Sequence, residues 1–172
     1  MRNTSHRIIS SGIGLILILS LTLSLSGCFF HVGRPGVFES VKITTDDREA
    51  LDELENAILQ DPAIKEIRYG CHKGSAKEIS TELSMDLVLA KSIGRDQAEE
   101  LMKSVIFPRL AKNDEIIQIL LASGDWHSLR INFVEGDGRM PVVYSSDESS
   151  GYEVWHDDVE NKFDLKVYAG ES

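Results

Sequence analysis

Residues 80 to 91 alternate more cleanly than any other part of the chain, with Leu83, Met85, Leu87 and Leu89 in one phase and Glu82, Ser84 and Asp86 in the other. Successive side chains of a strand point to opposite faces, so this pattern specifies a strand with one apolar and one polar side. The rest of the chain must therefore cover one face of a sheet. Two segments have the period to do so. Leu51, Leu54, Ala57 and Ile58 fall on one face of a helix, with Asp46 expected as its N-cap, Glu49 completing a capping box and Asp61-Pro62 ending it. Ala98, Leu101, Met102, Val105 and Ile106 form a second apolar stripe between Gly94 and Pro108, and the proline is expected to kink or close that helix.

Further strands are predicted on both sides. Val37, Val41 and Ile43 share a phase in VFESVKIT, and Ile64 to His72 reads as a strand that forms a hairpin with the one over 80–91. EIIQILLA reads as a buried strand, Gly124-Asp125 as a turn, and SLRINFV as a strand with Leu129, Ile131 and Phe133 in phase. EGDGRMP and SSDESSG are rich in turn formers, while YEVWH and KFDLKVY predict a terminal hairpin that extends the sheet or covers one face. The class is α+β, and the element order resembles a ferredoxin-like β-α-β-β-α-β sandwich with an added C-terminal hairpin. That resemblance is topological and implies no activity.

The start of the chain carries a different signal. Arg2 and Arg7 precede an uncharged, Leu- and Ile-rich run from Ile13 to Leu25, the layout of a secretory signal. The run is shorter than the roughly 20 residues of a spanning helix. It ends in Leu25-Ser26-Gly27-Cys28, which resembles the lipobox of bacterial lipoproteins. The resemblance implies cleavage before Cys28, a diacylglycerol thioether on its sulfur and an acylated new amino terminus, with acyl chains of the palmitate kind. Two or more chains hold a protein on a membrane where one does not. The expected organisation is a signal peptide over 1–27, a lipid-anchored tether over 28–36 and a single extracytoplasmic domain over 37–172. The protein is then anchored to the cell membrane or outer membrane with its domain outside the cytoplasm.

All 28 acidic residues lie after that signal and only 16 of the 18 basic ones do, so the processed chain carries a net charge of −12. Such a surface repels nucleic acid phosphates and anionic lipid headgroups. With Cys28 acylated, Cys71 is the one remaining thiol, so no disulfide holds the domain together.

Four aromatic and imidazole residues are candidates for binding: Trp126 and His127 in GDWHS, and Trp155 and His156 in EVWHDD. Together with Asp125, Asp157 and Asp158 they suggest either ligands for a transition metal or an aromatic sugar- or peptide-binding patch. On strands, however, the Trp and His of each pair face opposite sides. Cys71 and His72 in GCHKG are subject to the same objection, and Cys71 is expected as a small buried thiol. EGDG lacks the ligand spacing of a calcium loop. No nucleophile comes with an identifiable base, and no phosphate loop or zinc motif is present. No metal or cofactor is assigned. The expected function is a membrane-anchored module for an envelope protein or small ligand, with no nucleic acid partner. The alternatives are a structural accessory of an envelope complex and a small envelope enzyme.

Overall fold

The computed structural model describes residues 37–44, 48–73 and 81–170, which fall in one compact unit, Pro35–Ser172. The lipobox with Cys28, the tether and the expected cap Asp46 lie outside the described residues. The strands are β1 (Val37–Ser40), β2 (Ile64–Lys73), β3 (Glu82–Leu89), β4 (Ser128–Val134), β5 (Val142–Asp147), β6 (Val154–Asp157) and β7 (Lys162–Asp164). The helices are α1 (Glu49–Leu59), α2 (Arg95–Leu101), α3 (Phe107–Lys112) and α4 (Asp114–Leu121), and a π turn over Met102–Ile106 joins α2 to α3.

The seven strands of the described residues form one sheet in the order β1-β2-β3-β4-β5-β6-β7. Every junction is antiparallel except β3 with β4, which run parallel with Glu82 opposite Ser128 and Val88 opposite Val134. The expected α+β class holds. The strand count exceeds that of a ferredoxin-like sandwich, and the order is sequential, because α1 returns the chain beside β1 in the antiparallel sense instead of crossing to a parallel position. The terminal hairpin is β6 and β7, and it extends the sheet.

The phase of β3 decides which face is covered. Leu83, Met85, Leu87 and Leu89 share one buried cluster with Leu51, Leu54 and Ile58 of α1, with Ala98, Leu101, Met102 and Ile106 of the second stripe, and with Leu129, Ile131 and Phe133 of β4. The opposite phase contributes no member to that cluster, and every described helix packs on the apolar side.

Four local expectations are corrected. EIIQILLA is the helix α4. A continuous apolar run fits a buried strand or a buried helix equally, and the start decides: Asn113 accepts a hydrogen bond from the Glu115 amide at 3.1 Å, and Asp114 and Glu115 occupy the first turn, where acids suit the helix dipole. Helix α1 begins at Glu49 with Arg48 in the cap position and no side-chain cap, so Glu49 starts the helix and does not close a box. Of the two outcomes expected of Pro108, closing the helix is the one overturned, since the chain continues helically past it from the π turn into α3. Proline lacks the amide that would reach the carbonyl four residues back, and the π turn spaces the chain around it, with the Phe107 amide bonded to the Met102 carbonyl and the Arg109 guanidinium donating to the Val105 carbonyl at 2.9 Å. Lastly, PVVYSSD supplies a strand, β5, that the turn-rich reading of this region passed over, although Val142, Tyr144 and Ser146 alternate.

Candidate functional site

The polar phase of the sheet brings together residues far apart in sequence. Arg68 on β2, Asp86 on β3 and Asn132 on β4 stand in one row across three strands. Asp86 is 1% exposed and Asn132 is 0% exposed, so a carboxylate and an amide lie buried on the face that no described helix covers. Asn132 Nδ2 donates to Asp86 Oδ1 at 2.7 Å, His72 Nε2 lies 3.3 Å from the same oxygen, and an Arg68 guanidinium nitrogen is 3.8 Å from the other. A buried carboxylate is tolerated only where partners of this kind replace water. In the next row Ser84 Oγ donates to the Gly70 carbonyl at 3.1 Å, and Arg130 pairs with Glu82 at 3.1 Å.

Phe38 of β1 closes one end of this network. Its ring lies 5.1 Å from that of His72, and the Arg68 guanidinium sits 5.2 Å from its centroid. Gly70 makes this possible, since a Cβ there would overlap the Phe38 ring. The network is nonetheless incomplete. Arg68 Nε, His72 Nδ1, Arg130 Nε and Asn132 Oδ1 are buried without a hydrogen-bond partner. Buried polar atoms are nearly always paired, and each exception asks for water, an ion or a ligand.

Beside the network, toward β6, lies a cleft of about 260 Å³ lined by Glu82, Ser128, Ser145, Asp147 and His156 among others. Asp147 spends its carboxylate on the amides of Ser149 and Ser150 at 2.9 and 3.3 Å, which fixes the turn at the cleft wall. The Ser149 hydroxyl, donating to the same carboxylate at 2.6 Å, and then the two amides hold its carboxyl below the usual carboxylate range against slight burial.

The sequence candidates separate. His156 lines this cleft on the polar face and Trp155 points the other way, 1% exposed in the core. Trp126 is half-buried, its Nε1 donating to Ser123 Oγ at 3.0 Å, and His127 is exposed with Nδ1 3.0 Å from Glu148. The two Trp-His pairs therefore build no joint site. Among the described residues no group of three or more His, Cys, Asp or Glu is placed to hold a metal ion. Cys71 is a buried free thiol and faces away from His72, which belongs to the Asp86 network.

Among the described residues, His127 is the one exposed imidazole with a carboxylate hydrogen-bonded to it. The hydrogen bond to Glu148 and then its charge raise the imidazole above its ordinary value. A raised folded value adds stability at low pH that is lost as pH rises through it. Titration followed by NMR should place His127 above a free imidazole, and Glu148→Gln should return it; an unchanged value in the variant would rule out the pairing.

No family model matches this chain, nor does any curated protein or solved structure. The site therefore stands on its geometry. Asp86, Asn132 and Arg130 were not singled out from sequence, although one signal was present: Asn132 interrupts the otherwise apolar centre of SLRINFV.

Proposed function

We propose that this protein is a lipid-anchored module on the outer side of a bacterial membrane which binds a small polar ligand on the open face of its sheet. The observation that carries the binding half is the group of four buried, unpaired polar atoms on Arg68, His72, Arg130 and Asn132, all in the polar phase of β2 and β4. They comprise the donors of two arginines, one amide oxygen and one imidazole nitrogen, which a hydroxyl- or amide-bearing molecule complements. The anchoring half rests on Leu25-Ser26-Gly27-Cys28. Among the described residues no helix is long and apolar enough to cross a membrane. Nothing in the network pairs a nucleophile with a base, so the reading is of binding and not of catalysis.

Two experiments test the two halves. Cys28→Ala should abolish incorporation of a labelled fatty acid, and a variant that still takes up label would reject the anchor. Protein extracted from its own envelope in mild detergent should carry a bound polar molecule in native mass spectrometry, lost in Asn132→Leu. A wild-type protein without any such adduct, or an adduct that survives the substitution, would reject the binding face.

A further inference from the structure

The helical side of the domain has a separate surface that this ligand-binding reading does not use. A groove of about 520 Å³ runs between the end of α1 and the α2-π segment. Its floor is apolar, made by Ala57, Leu101 and Val105, and its rim carries Asp61, Asp96 and Glu100. No cationic side chain lines it. The neighbouring bases are committed elsewhere, Arg95 to Asp157 and Asp158, and Lys103 to Glu99. Among the described residues none of the three rim carboxylates takes part in an ion pair, although Asp61 accepts one hydrogen bond, from the Ala63 amide at 2.8 Å.

The backbone adds to this field. Helix α1 ends at the groove with no basic residue in its last turn, so the partial negative charge of its C-terminus is uncompensated beside Asp61. Asp96 stands in the first turn of α2, where the helix amides offset part of its charge. Asp61 and Glu100 have no such relief. A negative rim around an apolar floor excludes three occupants at once. Anionic lipid headgroups and nucleic acid are repelled, and a second copy of a chain with net charge −10 would bring acid against acid.

We infer that this groove docks a cationic amphipathic segment of a partner protein, whose apolar side chains rest on Ala57 and Val105 while flanking Lys or Arg residues pair with Asp61 and Glu100. Two helical segments with an apolar seam between them are the receiving half of helix-in-groove recognition.

The test uses the full-length protein in detergent and a fluorescein-labelled 14-residue Leu/Lys amphipathic peptide, followed by anisotropy. The wild type should bind it, with affinity falling as salt rises, because exposed charges are screened within about 10 Å at 0.1 M. Asp61→Asn with Glu100→Gln should weaken binding by about tenfold, the equivalent of about 1.4 kcal/mol. Asp125→Asn with Glu148→Gln, which removes as much charge away from the groove, should leave affinity within about twofold. Ala57→Arg should abolish binding, with a thermal melt verifying that the variant is folded. No binding by the wild type would overturn the proposal, as would equal losses in the two neutralised pairs, which would reduce the effect to attraction by a generally acidic surface.

Discussion

Phe107→Ala is expected to lower the stability of the domain by about 3–5 kcal/mol, the range for deleting a fully buried aromatic ring. Phe107 is 0% exposed, and its ring lies 5.2 to 6.1 Å from those of Tyr144, Trp155, Phe163 and Tyr168. Those neighbours sit on β5, on β6, on β7 and in the C-terminal turn, so one side chain ties the helical layer to the last third of the sheet. Its position is set by the π turn, which delivers residue 107 to the core immediately before Pro108. Tyr144, Trp155 and Phe163 are held by their own strands, which limits how far they can move into the vacated space. Urea denaturation measures the effect, and a loss under about 1 kcal/mol would mean that the cluster does not join the two layers.

Asp157→Ala should be the costliest polar substitution in the β6–β7 hairpin, at about 1.5–3 kcal/mol or more, because several hydrogen bonds to a charged group are lost together. The Asp157 side chain is 1% exposed and accepts from the Val159 amide at 3.0 Å, the Asn161 amide at 2.8 Å and Asn161 Nδ2 at 2.9 Å, with Arg95 at 3.3 Å. It thereby holds a turn in which Glu160 has a φ of 67°. Burial pushes the carboxyl up, but the Asn161 and Val159 donors and the Arg95 charge outweigh it, and the group is held below the usual carboxylate value. A depressed folded value contributes stability that is present above the unfolded value near 3.8 and is lost as pH falls through the folded one. The gap between wild type and Asp157→Ala should thus be full at neutral pH and should narrow in strong acid. A gap of constant size down to pH 2 would show that the carboxylate charge is not what holds the turn.

The legible parts of this fold were those with a clear period. β3 and β4 were readable because Leu83, Met85, Leu87 and Leu89, and Leu129, Ile131 and Phe133, alternate against polar residues, although the middle of both strands is buried on both faces. α4 was misread because Ile116, Ile117, Ile119 and Leu120 read as one apolar run, although the exposed Asp114, Glu115 and Gln118 recur at helical spacing. Strand order was out of reach for a different reason. Whether the chain returns beside β1 or crosses to a parallel position depends on how α1 packs, which no local pattern records. The polar-face network was hidden because its members come from three strands, and a polar residue in a polar phase looks like surface until its neighbours bury it. Asp86 is the clearest instance, for in sequence it is an ordinary outward-facing acid.

The single parallel junction has a kinetic side. Within β2–β3, β4–β5, β5–β6 and β6–β7 each strand meets a partner close by in sequence, so those pairings close short loops. Glu82 and Ser128, by contrast, are 46 residues apart, and joining β3 to β4 closes the longest loop in the sheet. Closure entropy grows only as the logarithm of loop length, by about 0.6 kcal/mol per doubling. Here it is further reduced, because α2, the π turn, α3 and α4 occupy that loop and shorten it as soon as they are helical. Contacts of large sequence separation are the slow ones to form. The crossover helices therefore do more than roof the core: their coiling shortens the span of chain between β3 and β4 and so lowers the cost of bringing the two strands together.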